Sequence, residues 1–275
     1  MFWKTSLTSR GLFYPVLKVR VIPTLLWKEF GLVKGVGFDS WRRVGTMMPA
    51  IKVYNTRQVD ELIVLDITAT FEGRVPDYES INEFSAECFV PLTIGGGVRN
   101  LEDIKNLLRA GADKVSINSA AYDNPHLIRE AADKYGSQCI VVSIDARKTA
   151  GGSFECCSHC GTRPTGKPVD SWAREVEQLG AGEILLTSIE RDGTMQGYDL
   201  DLIKRVTRNA GIPVIASGGA GRYQDMYEAI SVANCSAVAA ASIFHFTQQT
   251  PMEAKKFLSA NRIAVRDVNV QAAPY

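Results

Sequence analysis

The sequence repeats itself. A shift of 122 positions lays Glu61-Leu-Ile-Val onto Glu183-Ile-Leu-Leu, Asp77 onto Asp199, Pro91 onto Pro213, Gly96-Gly97 onto Gly218-Gly219 and Asp103 onto Asp225, with no gap. A nearby shift of 119 aligns Val21-Ile-Pro-Thr-Leu-Leu with Ile140-Val-Val-Ser-Ile-Asp, which makes Leu26 and Asp145 partners. Self-similarity at a fixed offset is the mark of a duplicated architecture. Whatever this chain folds into must therefore be divisible into two similar halves.

The apolar pattern says what each half contains. Short apolar runs fall at 19–25, 62–67, 90–94, 114–117, 140–144, 184–187, 213–216 and 237–241. Amphipathic stretches of helical period lie between them, for example at 101–109, 125–135, 171–179 and 200–209. Near-continuous apolar strands alternating with helices imply a parallel sheet covered by helices. Four units plus four units predict an α/β fold, a single (βα)8 TIM barrel made of two homologous half-barrels. A doubly wound open sheet is the alternative, but it has no reason to show this symmetry. The 275 residues suit one such barrel, which typically needs about 250. The regular pattern places the barrel at 17–262 and a C-terminal tail at 263–275. The first residues, 1–16, fit the pattern poorly and read as an extension, disordered or a start-site artefact.

Charge and cysteine content narrow the partners. Lys plus Arg total 31 and Asp plus Glu total 30, with no basic stripe. That balance leaves no electrostatic footprint for nucleic acid. No apolar run approaches the roughly 20 residues of a membrane span. Six cysteines show no secreted disulfide framework, so a reducing, cytoplasmic setting is expected. Cys156, Cys157, His159 and Cys160 cluster. Only Cys157-x-x-Cys160 has zinc-like spacing, and no second pair exists, so ordinary thiols are expected and no metal. No cofactor motif appears.

Two loops carry the first functional signal. The third strand runs into Gly95-Gly96-Gly97, and the seventh into Gly218-Gly219. Glycines between a strand and a helix let backbone N–H groups approach an anion at the positive end of the helix. The fourth and eighth strands end in Asn118-Ser119 and Ala241-Ser242, whose amides and hydroxyls complete two phosphate cradles. In barrels a phosphate site after the last two strands is common. The repeat offers a second, so the ligand carries a phosphate at each end, or the pair is inherited and half used. Asp192-Gly193, in the loop Glu190-Arg-Asp-Gly-Thr194, is a further polar turn at the same mouth.

At these residues the chain resembles the cyclase subunit of imidazole glycerol phosphate synthase. The likeness runs from about Val19 to Leu258 and is strongest at Leu65-Asp-Ile-Thr-Ala69, Pro91-Leu-Thr-Ile-Gly-Gly-Gly97, Gly111-Ala-Asp-Lys-Val-Ser-Ile-Asn-Ser119, Gly136-Ser-Gln-Cys-Ile-Val-Val-Ser-Ile-Asp145, Gly180-Ala-Gly-Glu-Ile-Leu-Leu-Thr-Ser188, Arg191-Asp-Gly-Thr194 and Ala216-Ser-Gly-Gly-Ala220. The resemblance implies a carbon–nitrogen lyase that needs no cofactor. In that family a glutaminase subunit docks at the barrel bottom, and ammonia crosses the barrel to a doubly phosphorylated substrate at the top. Two aspartates at the tops of strands one and five carry the chemistry. The second is Asp145, placed to act as base and then as acid; the first falls on Leu26, which cannot carry a proton. Glu29 is the nearest carboxylate. Lys34 and Asp66 match mouth positions of the family. Its gate of four charges falls on Arg20, Glu61, Lys114 and Glu183, all retained, although charges at a barrel's bottom also serve stability.

Half of the acid–base pair is gone while the gate is kept. That combination resembles cyclase-like proteins encoded with bacterial surface-polysaccharide genes, which work with a glutaminase-like subunit and a separate amidotransferase to amidate a sugar. The sequence leaves open a genuine cyclase of histidine biosynthesis and a non-catalytic scaffold for a glutaminase.

Overall fold

The structure, a computed structural model, describes residues 5–7, 13–15, 17–29 and 31–266. Eight strands form the barrel: β1 (Arg20–Lys28), β2 (Leu62–Asp66), β3 (Leu92–Gly95), β4 (Lys114–Ile117), β5 (Ile140–Lys148), β6 (Glu183–Ser188), β7 (Val214–Ser217) and β8 (Ala237–Ala240). Each neighbouring pair is parallel. The ladder closes where β8 runs beside β1, Ala237 opposite Arg20 and Ala240 opposite Pro23. An open sheet is thereby excluded. Each of the eight expected apolar runs supplies one strand.

The expected extension over 1–16 and tail over 263–275 lie largely outside the described residues. What is described is an antiparallel pairing of Thr5–Leu7 with Phe13–Pro15, and a bridge that ties Val265 to Val19. Among the described residues no helix is long and apolar enough to cross a membrane.

Two apolar layers hold the barrel. Outside the strands, Leu62, Val64, Val142, Ile144, Ile184 and Leu186 pack against helices such as Leu101–Arg109 and Val169–Gln178. Inside, Ile22, Ile63, Val141, Leu185, Ile215, Ala237 and Ala239 form a separate cluster. Alternate residues of a strand face opposite sides, so one apolar run serves both layers. This is why these strands read as continuous rather than alternating.

The halves agree in register as well as in sequence. Leu62 lies opposite Leu92, and Ile184, 122 positions later, lies opposite Val214. Leu62 N–H donates to Pro91 O at 2.9 Å and Ile184 N–H to Pro213 O at 2.9 Å. Asp77 caps its helix by accepting from Ser80 N–H, and Asp199 accepts from Leu202 N–H. Asp103 accepts the Arg99 N–H and Asp225 the Gly221 N–H, both at 2.9 Å. After the first strand of each half the chain makes an antiparallel hairpin, Gly31–Val36 with Asp39–Gly45 and Phe154–Ser158 with Arg163–Pro168. The expected helical and strand patterns contain neither hairpin strand of the first pair: Gly31–Val36 is buried, but Lys34 and two glycines interrupt its short apolar run, and Asp39–Gly45 is largely exposed.

Both Asp103 and Asp225 are buried, and each holds a glycine loop to the helix that follows it. Replacing either by Ala orphans backbone donors, at a cost of about 1–3 kcal/mol. Denaturant unfolding of Asp103→Ala and Asp225→Ala should show losses of similar size. A loss in one variant alone would contradict equivalent roles in the two halves.

Candidate functional site

The tops of the strands enclose one cavity of about 1120 Å³, its open rim included. Its lining brings together every mouth residue expected from the sequence: Asp145; Gly96, Gly97, Asn118 and Ser119; Asp192 and Gly193; and Gly218, Gly219, Ala241 and Ser242. Leu26, Lys34 and Asp66 line it too. The cradles have matching backbones. Gly96, Gly97, Gly218 and Gly219 all take positive φ, and Asn118 and Ala241 share one unusual conformation, with φ −119° and −125°. Two of these glycines cannot be replaced without movement. A Cβ on Gly96 would lie 2.1 Å from Asp66 O, and one on Gly219 would lie 2.2 Å from Gly197 O.

Asp145 and Leu26 face each other across this mouth at equivalent heights. Leu26 is opposite Leu65 on β2, and Asp145 is opposite Thr187 on β6. Leu65 and Thr187 are themselves related by the repeat. The position that would hold a second carboxylate is thus a hydrocarbon wall made by Leu26, Leu65 and Ala239. Around Asp145, consecutive strands β4 to β7 contribute Ser116, Ser143, Thr187 and Ser217. On the opposite side Thr24 of β1 adds a hydroxyl beneath Leu26.

Asp145 is buried, and Asn118 Nδ2 donates to its Oδ2 at 3.1 Å and to Ser143 O at 3.1 Å. Burial, with a smaller push from the Asp192 charge, raises its carboxyl to about 7. A carboxyl titrating there exchanges a proton readily near neutral pH. Asp192 is also raised by burial, opposed by Lys34. Lys34 Nζ is 2.5 Å from Asp192 Oδ2, and both are buried. This pair pins the first hairpin over the mouth, as does the Gly37 N–H donating to Asp192 O. Asp66 accepts from Thr68 and Ala69 N–H and pairs with Arg74. Glu29, the carboxylate nearest Leu26 in sequence, is not in the lining.

The four bottom charges form a closed ring. Arg20 contacts Glu61 at 2.6 Å and Glu183 at 2.9 Å. Lys114 contacts the same two carboxylates at 3.0 Å each. Glu61 also accepts from Thr93 Oγ1. Each charge is at or beside the N-terminal end of its strand, so the ring and the mouth occupy opposite ends of the barrel. Between them lies the inner apolar cluster, whose smallest side chains are those of Ala237 and Ala239.

Several lining residues were not expected at the mouth: Phe38 and Trp41 from the first hairpin were not picked out from the sequence, and Cys160 from the second was read only as an ordinary thiol. Cys160 Sγ donates to Ile67 O at 3.0 Å, and burial pushes its thiol up to about 12, so it is no ready nucleophile. Cys156 and Cys157 are adjacent on a strand and point to opposite faces. Among the described residues no three or more His, Cys, Asp or Glu side chains converge as metal ligands. The hydroxyls beneath the mouth were legible in principle, two residues before Asn118 and Asp145 on the same faces of their strands.

Compared with known families, the chain matches the one described as histidine biosynthesis protein over residues 20–250.

The raised Asp145 carboxyl has a signed consequence for stability. Below the ordinary value of 3.8 both folded and unfolded chains hold the proton. Between there and about 7 the unfolded chain has lost it while the fold keeps it, so stability falls as pH rises through that window. Asp145→Asn removes this component. Relative to wild type, the variant should gain stability from pH 4 to pH 8, by at most about 4 kcal/mol. Paired unfolding curves across that range would show it, and a pH-independent difference would mean that Asp145 titrates normally.

Proposed function

The chain belongs to the histidine biosynthesis protein family, and on that premise we propose that it is an ammonia-conducting, cyclase-like subunit of a glutamine amidotransferase system. Members of this family are typically enzymes, isomerases or cyclases. In this reading a glutaminase docks over the ring of Arg20, Glu61, Lys114 and Glu183. Ammonia enters when the ring opens, crosses the layer of Ile22, Ile63, Val141, Leu185 and Ile215, and emerges beside Asp145. A phosphorylated ligand occupies the mouth. The ammonia serves a separate amidotransferase that amidates a surface-polysaccharide sugar.

The observation that carries this reading is the mismatch between the two ends. Leu26 stands where the twofold relation to Asp145 calls for a carboxylate, whereas the ring retains all four charges and makes four close ion pairs. Imidazole ring closure in this family's chemistry relies on an acid–base pair, and one carboxylate cannot serve both faces of a substrate at once. A neutral small molecule needs no such pair to pass. It needs an apolar path, which the inner cluster supplies, and a barrier to ions, which the ring supplies.

Two experiments test it. Supplied with the histidine-pathway intermediate and ammonium, the chain should form imidazole glycerol phosphate about 100- to 10,000-fold more slowly than a barrel with both aspartates. Leu26→Asp should recover part of that loss, and ordinary turnover by the wild type would restore the genuine-cyclase reading. In a reconstituted system Lys114→Ala should alter use of glutamine while leaving use of external ammonium unchanged. If both nitrogen sources fall together with stability, the ring is only structural; if neither changes, the scaffold reading stands.

A further inference from the structure

Two hydroxyls that line the mouth, Thr24 Oγ1 and Ser242 Oγ, are buried and make no hydrogen bond among the described residues. Ser242 follows β8 in one of the two expected phosphate cradles. Thr24 has no such setting. It lies in the middle of β1, and only 6% of it is exposed. A buried hydroxyl without a partner costs free energy. At a cavity wall, a ligand atom can remove that cost.

The neighbours of Thr24 explain why the protein leaves it unpaired. Alternate residues of a strand share a face, so Ile22 lies below it and Leu26 above it on β1. Ile63 stands opposite Thr24 on β2, Leu65 opposite Leu26, and on β8 Ala239 stands opposite Ile22. None of these side chains can donate or accept. The hydroxyl therefore sits at the foot of the hydrocarbon wall made by Leu26, Leu65 and Ala239. Lys34 and Asp66, charged groups of the same mouth, are committed to Asp192 and Arg74. An ion placed against this wall would lose its hydration without compensation. A single hydroxyl set in hydrocarbon suits instead a short uncharged group with one polar atom and an apolar end. Because a threonine hydroxyl can donate, a carbonyl oxygen fits as that polar atom.

We infer that this wall is a subsite for a short acyl group on the ligand, such as acetyl. Thr24 Oγ1 donates to the carbonyl oxygen, and the methyl lies against Leu26, Leu65 and Ala239. The inference rests on the reading that a phosphorylated ligand occupies the mouth, and it narrows that ligand to an acylated one. Leu26 is then a specificity residue. It makes a place for hydrocarbon where the twofold relation to Asp145 calls for a carboxylate.

Calorimetric titration with three probes tests the subsite apart from its premise. Inorganic phosphate should bind. N-acetylglucosamine 6-phosphate should bind about tenfold more tightly than glucose 6-phosphate, the worth of one buried methyl and one hydrogen bond. Thr24→Val, which keeps the shape and removes the hydroxyl, should cut that preference to about threefold and leave the affinity for inorganic phosphate unchanged. Leu26→Asp should abolish the preference. Without ligand, Thr24→Val should be at least as stable as wild type, because it removes an orphaned polar group. Equal affinity of the wild type for the two sugar phosphates, or a preference that survives intact in both variants, would overturn the subsite. So would a loss of stability in Thr24→Val, which would mean that the hydroxyl already has a partner such as a buried water. Failure of inorganic phosphate to bind would instead defeat the phosphorylated-ligand reading, and the inference would fall with it.

Discussion

The hydrogen-bonded seam between β8 and β1 is the contact on which the rest depends. Once Ala237 pairs with Arg20 and Ala240 with Pro23, every inward side chain has a fixed height above the barrel floor. Arg20, Ile22, Thr24 and Leu26 lie on one face of β1, and each belongs to a different level: ring, apolar layer, hydroxyl level and mouth. The same ordering on β5 gives Val141, Ser143 and Asp145. A slip of one residue at the seam would turn Leu26 outward and break the ring at Arg20 together. The charged ring, the apolar layer and the mouth are thus one registered object rather than separate sites.

Within that frame the two halves have diverged unequally. The acids of the ring are symmetric, since Glu61 and Glu183 are repeat partners. The bases are not. Both come from the first half, and the pairings Val21 with Val238 and Ile140 with Val115 make Cys139 the counterpart of Arg20, and Ala237 that of Lys114. At the mouth the asymmetry is reversed: both halves supply hydroxyls, but the second keeps the carboxylate Asp145 where the first has Leu26. The result is a barrel whose charged closure below is symmetric in its acids alone, under a mouth with a carboxylate on one side and Leu26 on the other.

The sequence was most informative where duplication and strand chemistry agree. Eight apolar runs and one offset foretold the closed barrel, and the two glycine loops they single out both lie at its mouth. The mouth residues it singled out do converge on one cavity, because the ends of parallel strands in a barrel must meet. It was least informative about the two hairpins. Nothing in the spacing of Phe38, Trp41, His159 or Cys160 announces that these residues cross the mouth, since a ribbon's path depends on contacts made far away. Lys34 reaches Asp192 over 158 positions, and His159 reaches Ser119 over 40.

The central claim is that ammonia travels through this barrel without mixing with solvent. It is tested most directly by feeding a reconstituted complex of barrel, glutaminase and amidotransferase with glutamine labelled with nitrogen-15 in the side-chain amide, in excess unlabelled ammonium. The account predicts that the amidated product carries the label far above its share of the bulk ammonium pool. Product whose label merely matches that pool would show that the ammonia is released before it is used, and would contradict the conduit.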